Sequence, residues 1–226
     1  MIEKILRRVA WRRDLDLQHV DRIRKWGHRH YVGGDTSEAW YGIGKRQYHF
    51  LASQGLRAEH VFVDIACGSL RLGQYLIPML EEGNYFGLEG EPDLVKAGLE
   101  HELLFDLADK KAPRFAYNYG FAFEGLEQFD YAIAQSLFTH LTLDDIETCF
   151  RNLRGHAHAG SKFFSTFFEG DPQVNPDAES HANKDWYYPF EAFREIGERT
   201  GWAVEYIGDW GHERDQKMIC ATPSGH

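Results

Sequence analysis

Short apolar runs alternate with longer amphipathic segments along most of this chain. Apolar runs bounded by turn residues predict strands, whereas apolar positions three and four residues apart predict helices. The predicted strands cover residues 61–65, 85–88, 114–118, 129–135, 161–168, 202–207 and 217–221, and the predicted helices cover 45–55, 70–80, 92–108, 143–156 and 190–200. This alternation predicts an α/β fold with a seven-stranded, mostly parallel sheet and helices on both faces. The last two strands have no helix between them and are therefore expected to form an antiparallel hairpin.

The chain of 226 residues is long enough for one domain with a full core and a small appendage. We predict a helical extension over residues 1–45 and the main domain over 46–226. Residues 169–189 form a long polar connection, which is typical of a lid. No apolar stretch approaches the roughly 20 residues that span a bilayer, and no signal peptide is visible. The three separated cysteines predict a reduced, cytoplasmic compartment without a structural disulfide.

The charge is distributed unevenly. A net charge of −10 argues against general nucleic-acid binding. Residues 1–30 nevertheless hold nine basic against four acidic residues, and Ile2, Ile5, Leu6 and Val9 fall at helical spacing. We interpret this segment as a helix that packs on its own domain or on a second copy in a homodimer. A membrane surface or an acidic partner is the alternative.

Residues 61–90 carry most of the chemical information. The first apolar run is followed by Asp64 and a turn of small residues that contains Gly68, and the next strand ends in Glu89. Small residues let the backbone approach a ligand closely, and an acid one strand away accepts hydrogen bonds from both ribose hydroxyls. The pattern therefore predicts a site for a nucleoside cofactor.

Several segments resemble the class I S-adenosylmethionine-dependent methyltransferases. Residues 64–69 resemble the first motif of that family, Glu89 stands at the place of its ribose-binding acid, and 129–141 are similar to its fourth-strand motif. Residues 40–47 resemble the lead-in helix of a bacterial subgroup that methylates small molecules. The resemblance covers residues 40–223 and implies a Rossmann-like sheet and S-adenosylmethionine as cofactor. Residues and resemblance together predict cofactor contacts from Asp64, Ala66, Cys67, Gly68, Arg71, Glu89, Gly90, Asn118, Phe121, Gln135, Ser136 and Tyr41.

The first motif departs from the family at two positions, since Ala66 and Leu70 stand where glycine is frequent. An alanine still permits close approach of the backbone if its φ is negative. The acid expected near the adenine is replaced by the neutral run 118–121, in which Asn118 is expected to bond to the adenine edge and Phe121 to stack on it. Tyr41 is predicted either to line the pocket around the sulfonium, because aromatic faces attract cations, or to lie in the core.

The substrate is expected at the carboxyl end of the fourth strand, where open α/β sheets bind ligands. Gln135 and Ser136 end that strand. His140 follows and is interpreted either as a residue that faces the transferring methyl or as an ordinary loop histidine. A substrate hydroxyl of high pKa also needs a general base, for which the candidates are Asp185, Tyr187, Tyr188 and His212. We favour His212 because imidazole titrates near neutral pH.

The predicted function is methyl transfer to an oxygen or nitrogen of a small molecule. A catalytically silent binding protein and a nicotinamide-dependent oxidoreductase are the alternatives. A nicotinamide site favours a full G-x-G-x-x-G turn, whereas the turn here has one glycine, Gly68. His156 and His158 alternate like metal ligands, but no cysteine or carboxylate cluster joins them, so we predict no metal site.

Overall fold

A computed structural model describes residues 17–104, 106–181 and 183–225. The amphipathic segment with Ile2, Ile5, Leu6 and Val9 lies outside the described residues, so its packing and the homodimer stay predictions. Within the described ranges, no helix combines the length and the apolar character needed to cross a membrane.

The order of elements follows the predicted alternation. The helices are α1 (His19–Trp26), α2 (His28–Tyr31), a π-helical turn (Glu38–Gly42), α3 (Ile43–Ser53), α4 (Gly73–Met79), α5 (Pro92–His101), α6 (Leu107–Lys111), α7 (Leu143–Arg154), a 3-10 turn (Pro172–Val174) and α8 (Phe190–Thr200). The strands are β1 (Phe62–Ile65), β2 (Tyr85–Glu89), β3 (Arg114–Tyr117), β4 (Phe129–Ala134), β5 (Ala157–Glu169), β6 (Tyr187–Tyr188), β7 (Trp202–Asp209) and β8 (Lys217–Pro223).

One sheet with strand order β3-β2-β1-β4-β5-β8-β7 organises the fold. Strands β1 to β5 pair in parallel, while β8 lies antiparallel between β5 and β7. The two-residue strand β6 pairs with the end of β5. The predicted seven-stranded sheet and its terminal hairpin are therefore confirmed. The chain order reverses between β1 and β4, which opens a crevice at the carboxyl ends of these strands.

Two predicted helices differ from the structure by more than two residues at one end. The helix expected over 70–80 begins only at Gly73, because Leu70 adopts a left-handed φ of 65° that keeps the preceding residues in a turn. The helix expected over 92–108 is two helices, since α5 ends at His101 and α6 begins at Leu107. The break leaves Glu102 close to Arg29 and Trp40, near the start of the described chain.

Alternating residues of the strands feed apolar layers on both faces of the sheet, because successive side chains point to opposite faces. On one face Val63 and Ile65 join a cluster rich in phenylalanine, in which the rings of Phe150 and Phe163 lie 5.1 Å apart. On the other face Phe62 packs in a second cluster. Both clusters are almost fully buried, so the strand ends that carry the site rest on a rigid platform.

Candidate cofactor and substrate site

A cavity of about 1360 Å³ opens where β1, β2 and β4 end. Every site residue predicted from the sequence lines it except Tyr41 and Asp185. Tyr41 lies on the outer surface, 38% exposed, with the guanidinium of Arg29 5.1 Å above its ring. The structure therefore does not bring Tyr41 to the cavity, and its neighbour Trp40 is a core residue that is 1% exposed.

The turn after β1 is built from left-handed residues. Ala66, Gly68 and Leu70 have φ values of 58°, 55° and 65°. The condition of a negative φ at Ala66 is not met, because the chain reverses within three residues and needs the left-handed conformation at both non-glycine positions. Such residues cost of order 1 kcal/mol each and are held where the surrounding structure determines them, often at functional sites.

Glu89 is locked against this turn. Its carboxylate is 9% exposed and accepts hydrogen bonds from the backbone N–H of Gly68 at 2.8 Å and of Glu91 at 3.1 Å. Burial raises the pKa of Glu89, and these backbone donors oppose that shift. A carboxylate has about four acceptor positions, so both oxygens keep capacity for further donors from a ligand in the cavity.

A second carboxylate, Asp64, lies at the carboxyl end of β1. It accepts a hydrogen bond from the hydroxyl of Tyr85 at 2.8 Å. Burial raises the pKa of Asp64 to about 7, although the Tyr85 bond favours the charged form. Asp64 is therefore partly protonated near neutral pH, and pKa values perturbed to this extent are concentrated at functional sites.

Arg71 reaches the cavity from the same turn. Its guanidinium donates to the carbonyl of Val32 and lies 5.5 Å above the ring of Trp40. Burial lowers the pKa of Arg71 to about 10. In the described part of the chain, its buried Nε finds no hydrogen-bond acceptor. Arg71 thus keeps a donor for an anionic group.

The loop after β3 closes on itself. The side-chain amide of Asn118 donates to the carbonyl of Ala122 at 2.8 Å and accepts from its N–H at 2.9 Å. The amide that was predicted to bond to adenine is thus engaged within its own loop. Phe121 is 8% exposed, has a left-handed φ of 55° and lines the cavity. Its ring remains the better candidate for contact with a base.

Residues 19–33, here called the N-terminal cap, form a cavity wall that the sequence did not reveal. Glu102 anchors this cap, with a side chain that is 2% exposed. Arg29 donates to both of its oxygens at 2.6 and 2.7 Å, and the indole N–H of Trp40 donates at 3.1 Å. His30 and Tyr31 consequently line the cavity. The glycine and aromatic residues of 30–44 were the available signal for a binding loop.

Polar side chains gather at the end of β4. Gln47 donates to the Oε1 of Gln135 at 3.2 Å, and the Ser136 hydroxyl lies 2.7 Å from the Nε2 of Gln216. Ser136 also has a left-handed φ of 55°, and its N–H donates to Thr166 at 2.7 Å. Gln47 lies on α3, whereas Gln135 and Ser136 follow β4, so two segments that are distant in sequence form this end of the cavity.

His212 reaches the same group from the β7–β8 loop and is 8% exposed. Burial, together with the charges of Arg214, Arg46 and Arg71, lowers its pKa to about 4. The backbone N–H of Arg214 donates to Nδ1 at 3.2 Å. Because Nδ1 accepts, the neutral ring carries its proton on Nε2, which makes Nε2 a donor.

His140 has the opposite tautomer. Its Nδ1 lies 2.6 Å from the carbonyl of Lys184 and must donate to it, so Nε2 is unprotonated. Burial lowers the pKa of His140 below its usual range. Asp185 lies 3.6 Å from Nδ1, but Arg214 holds both of its oxygens at 2.9 and 3.0 Å. Asp185 therefore joins the lid-like segment to the hairpin loop and does not line the cavity.

His156 and His158 are the two histidines that alternate like metal ligands in the sequence. His158 pairs with Asp130 at 3.0 Å, beside the start of β5. Over the described ranges, no three histidine, cysteine or acidic side chains are placed to hold a metal ion.

Comparison with known proteins shows the fold. No family model and no curated protein match this sequence. Solved structures do match: an S-adenosylmethionine-dependent methyltransferase from Clostridium acetobutylicum ATCC 824 has a TM-score of 0.62 at 12% identity and covers 89% of this chain and 99% of its own. Magnesium protoporphyrin IX methyltransferase from Synechocystis PCC 6803, solved with bound cofactor, has a TM-score of 0.62 at 15% identity over 96% of both chains. The glycopeptide N-methyltransferase MtfA has a TM-score of 0.61 at 16% identity over 80% of this chain and 90% of its own. The chain therefore has the fold of these methyltransferases.

Proposed function

We propose that this protein is a methyltransferase that uses S-adenosylmethionine to methylate a small molecule. The observation that carries the proposal is Glu89, a buried carboxylate fixed at the end of β2 beside the left-handed turn after β1. A ribose diol presents two donors to such an acid. The similar structures include proteins solved with S-adenosylmethionine or its demethylated product, which supports the same cofactor here.

The residues present fit this cofactor. Glu89 would hold the ribose, Phe121 would contact the adenine, and the unsatisfied donor of Arg71 would meet the carboxylate of the methionine part. When bound, the cofactor supplies a methyl group activated by a positive sulfur. The N-terminal cap would keep water from this part of the cavity.

His140 is the residue best prepared to receive a proton from the methyl acceptor. The carbonyl of Lys184 fixes its proton on Nδ1, and its neutral Nε2 has a free lone pair. This is the tautomer that a general base requires, whereas His212 has the reverse. We therefore propose His140 as the base for a hydroxyl acceptor.

Calorimetric titration with S-adenosylhomocysteine, S-adenosylmethionine and NAD tests the proposal. We expect both adenosyl compounds to bind and NAD to give no measurable heat of binding. The Glu89→Ala variant should weaken binding by roughly 10- to 100-fold, because it removes hydrogen bonds to a charged group. The exposed Glu82→Ala variant is the matched control and should bind as the wild type does.

Three results would overturn the proposal. NAD binding without binding of the adenosyl compounds favours an oxidoreductase. Unchanged affinity in Glu89→Ala removes the observation on which the proposal rests. If the adenosyl compounds bind but no methyl transfer follows across a panel of alcohols and amines, the silent binding protein becomes the better description.

A further inference from the structure

The polar group at the end of β4 is incomplete. Gln47, Gln135, Ser136 and His212, here called the amide–imidazole cluster, all line the cavity. Gln47 is 3% exposed and His212 is 8% exposed, so water has little access to them. Among the described residues, no donor reaches the Oε1 of Gln47. A buried polar atom without a partner is rare in native proteins and needs an explanation.

The protonation of His212 leaves a second unfilled position. Its Nδ1 accepts the Arg214 N–H, so Nε2 must donate. Nε2 faces the amide nitrogen of Gln135 at 3.4 Å. Two donors cannot bond to each other, and the cluster therefore lacks an acceptor for His212 as well as a donor for Gln47.

Turning the amides over does not complete the cluster. If the Gln135 amide is reversed, its oxygen accepts from His212, but its nitrogen then faces the nitrogen of Gln47. Gln47 must reverse as well, and its nitrogen becomes the unfilled position. In both arrangements Gln47 has one unpaired polar atom, which is an acceptor in the first arrangement and a donor in the second. A group that can both donate and accept fits either arrangement.

Charged groups fit less well. A carboxylate only accepts and an ammonium only donates, so each suits one arrangement alone. Three cations lie near His212. Arg214 is held by both oxygens of Asp185, and the donor of Arg71 is assigned above to the cofactor carboxylate. Arg46 has a buried Nη1 without a partner in the described chain, but it does not line the cavity. The cluster itself contains no carboxylate for an ammonium. Burying a charge without a counterion is far more costly than burying a neutral hydrogen-bonding group.

We propose that the amide–imidazole cluster binds a neutral substrate group that both donates and accepts, a hydroxyl or a primary amide, with His212 as a binding donor and not as the base. This deepens the proposed function and rests on it. The substrate class is accordingly an alcohol, a polyol or an amide whose polar group enters the cavity beside Gln47.

The test uses four small probes on one scaffold: 2-phenylethanol, phenylacetamide, phenylacetate and 2-phenylethylamine. Each is titrated into the wild-type protein saturated with S-adenosylhomocysteine and followed by ligand-detected NMR. We expect at least one neutral probe to bind roughly tenfold or more tightly than both charged probes. Preference for a charged probe, or no detectable binding of the neutral ones, overturns the proposal. Preference for the alcohol over the amide, or the reverse, decides between the two neutral groups.

Variants separate the two roles of His212. Gln places an N–H close to the position of the imidazole Nε2, so His212→Gln should keep the preference for neutral probes, and His212→Leu should lose it. Gln47→Leu should lose it as well, while the exposed Gln128→Leu is the control. If the preference survives Gln47→Leu, or if His212→Gln behaves like His212→Leu, the proposal fails.

S-adenosylhomocysteine titrations of the same variants keep this proposal distinct from the proposed function. If the wild type does not bind S-adenosylhomocysteine, the proposed function fails. Normal nucleoside binding without the preference among probes defeats the present inference only.

Discussion

Asp64 makes the stability of this protein depend on pH in a direction opposite to that of most carboxylates. Its side chain is buried, and its folded pKa is raised to about 7, chiefly by burial. In the unfolded chain an aspartate titrates near a pKa of about 3.9. The native state therefore binds a proton that the unfolded state has released, and stability must fall as the pH rises through this interval.

The magnitude follows from the interval between the two pKa values. Each pH unit between them changes the free energy of unfolding by about 1.4 kcal/mol. From pH 5 to pH 8 the native state gradually loses this stabilisation, which amounts to about 2.7 kcal/mol. About 0.4 kcal/mol of it remains at pH 7, where the native carboxyl is half protonated, and below about pH 4 both states are protonated. An asparagine at this position has no proton to release and keeps an oxygen for the Tyr85 hydroxyl.

Urea unfolding of the wild type and Asp64→Asn at pH 5 and pH 8 measures this effect. The variant should gain about 2.7 kcal/mol relative to the wild type between the two pH values. Asp109→Asn, at an exposed position, is the control and should show no such gain. A difference between variant and wild type that is the same at both pH values would refute the reasoning.

Three further variants test other parts of the structure. Glu102→Ala removes the anchor of the N-terminal cap and should lower the free energy of unfolding by about 2 kcal/mol. It should also speed the release of S-adenosylhomocysteine in stopped-flow measurements. An unchanged release rate would show that the N-terminal cap does not control cofactor exchange. In Gly98→Ala the new Cβ would lie 2.7 Å from the carbonyl of Ser69, so we expect a loss of about 1–3 kcal/mol in urea unfolding and weaker nucleoside binding. Thr142→Ala removes the N-cap of α7 and should lower stability by about 1 kcal/mol, with Thr148→Ala as the control. If Gly98→Ala loses no measurable stability, the tight packing at Gly98 is contradicted. If Thr142→Ala loses none, the N-cap of α7 is contradicted.

The sequence was informative wherever one local pattern decides the structure. Threonine directly before a helical pattern favours an N-cap, and Thr142 caps α7 by accepting from the N–H of Asp145. Glycine directly after a helical pattern favours its end, and Gly201 adopts the left-handed conformation at the end of α8. The carboxylates Asp64 and Glu89 could be placed because parallel strands end at one edge of a sheet.

Other features depend on distant contacts that leave no local signal. Ala66 and Leu70 are left-handed because the sheet and α5 determine the turn, and neither residue type favours that conformation. The anchoring of the N-terminal cap joins Arg29 to Glu102, 73 residues apart. The states of His140 and His212 depend on single backbone groups in loops, which only the folded chain brings to the rings.

The position of β8 has a consequence for genetic work. Although it comes after all the other described strands, it lies inside the sheet and is the hydrogen-bonding partner of both β5 and β7. A stop codon after Gln216 would leave β7 without any neighbour and expose the whole edge of β5, which invites aggregation. Alleles truncated there should behave as complete losses of function, even though every residue that lines the cavity is still translated.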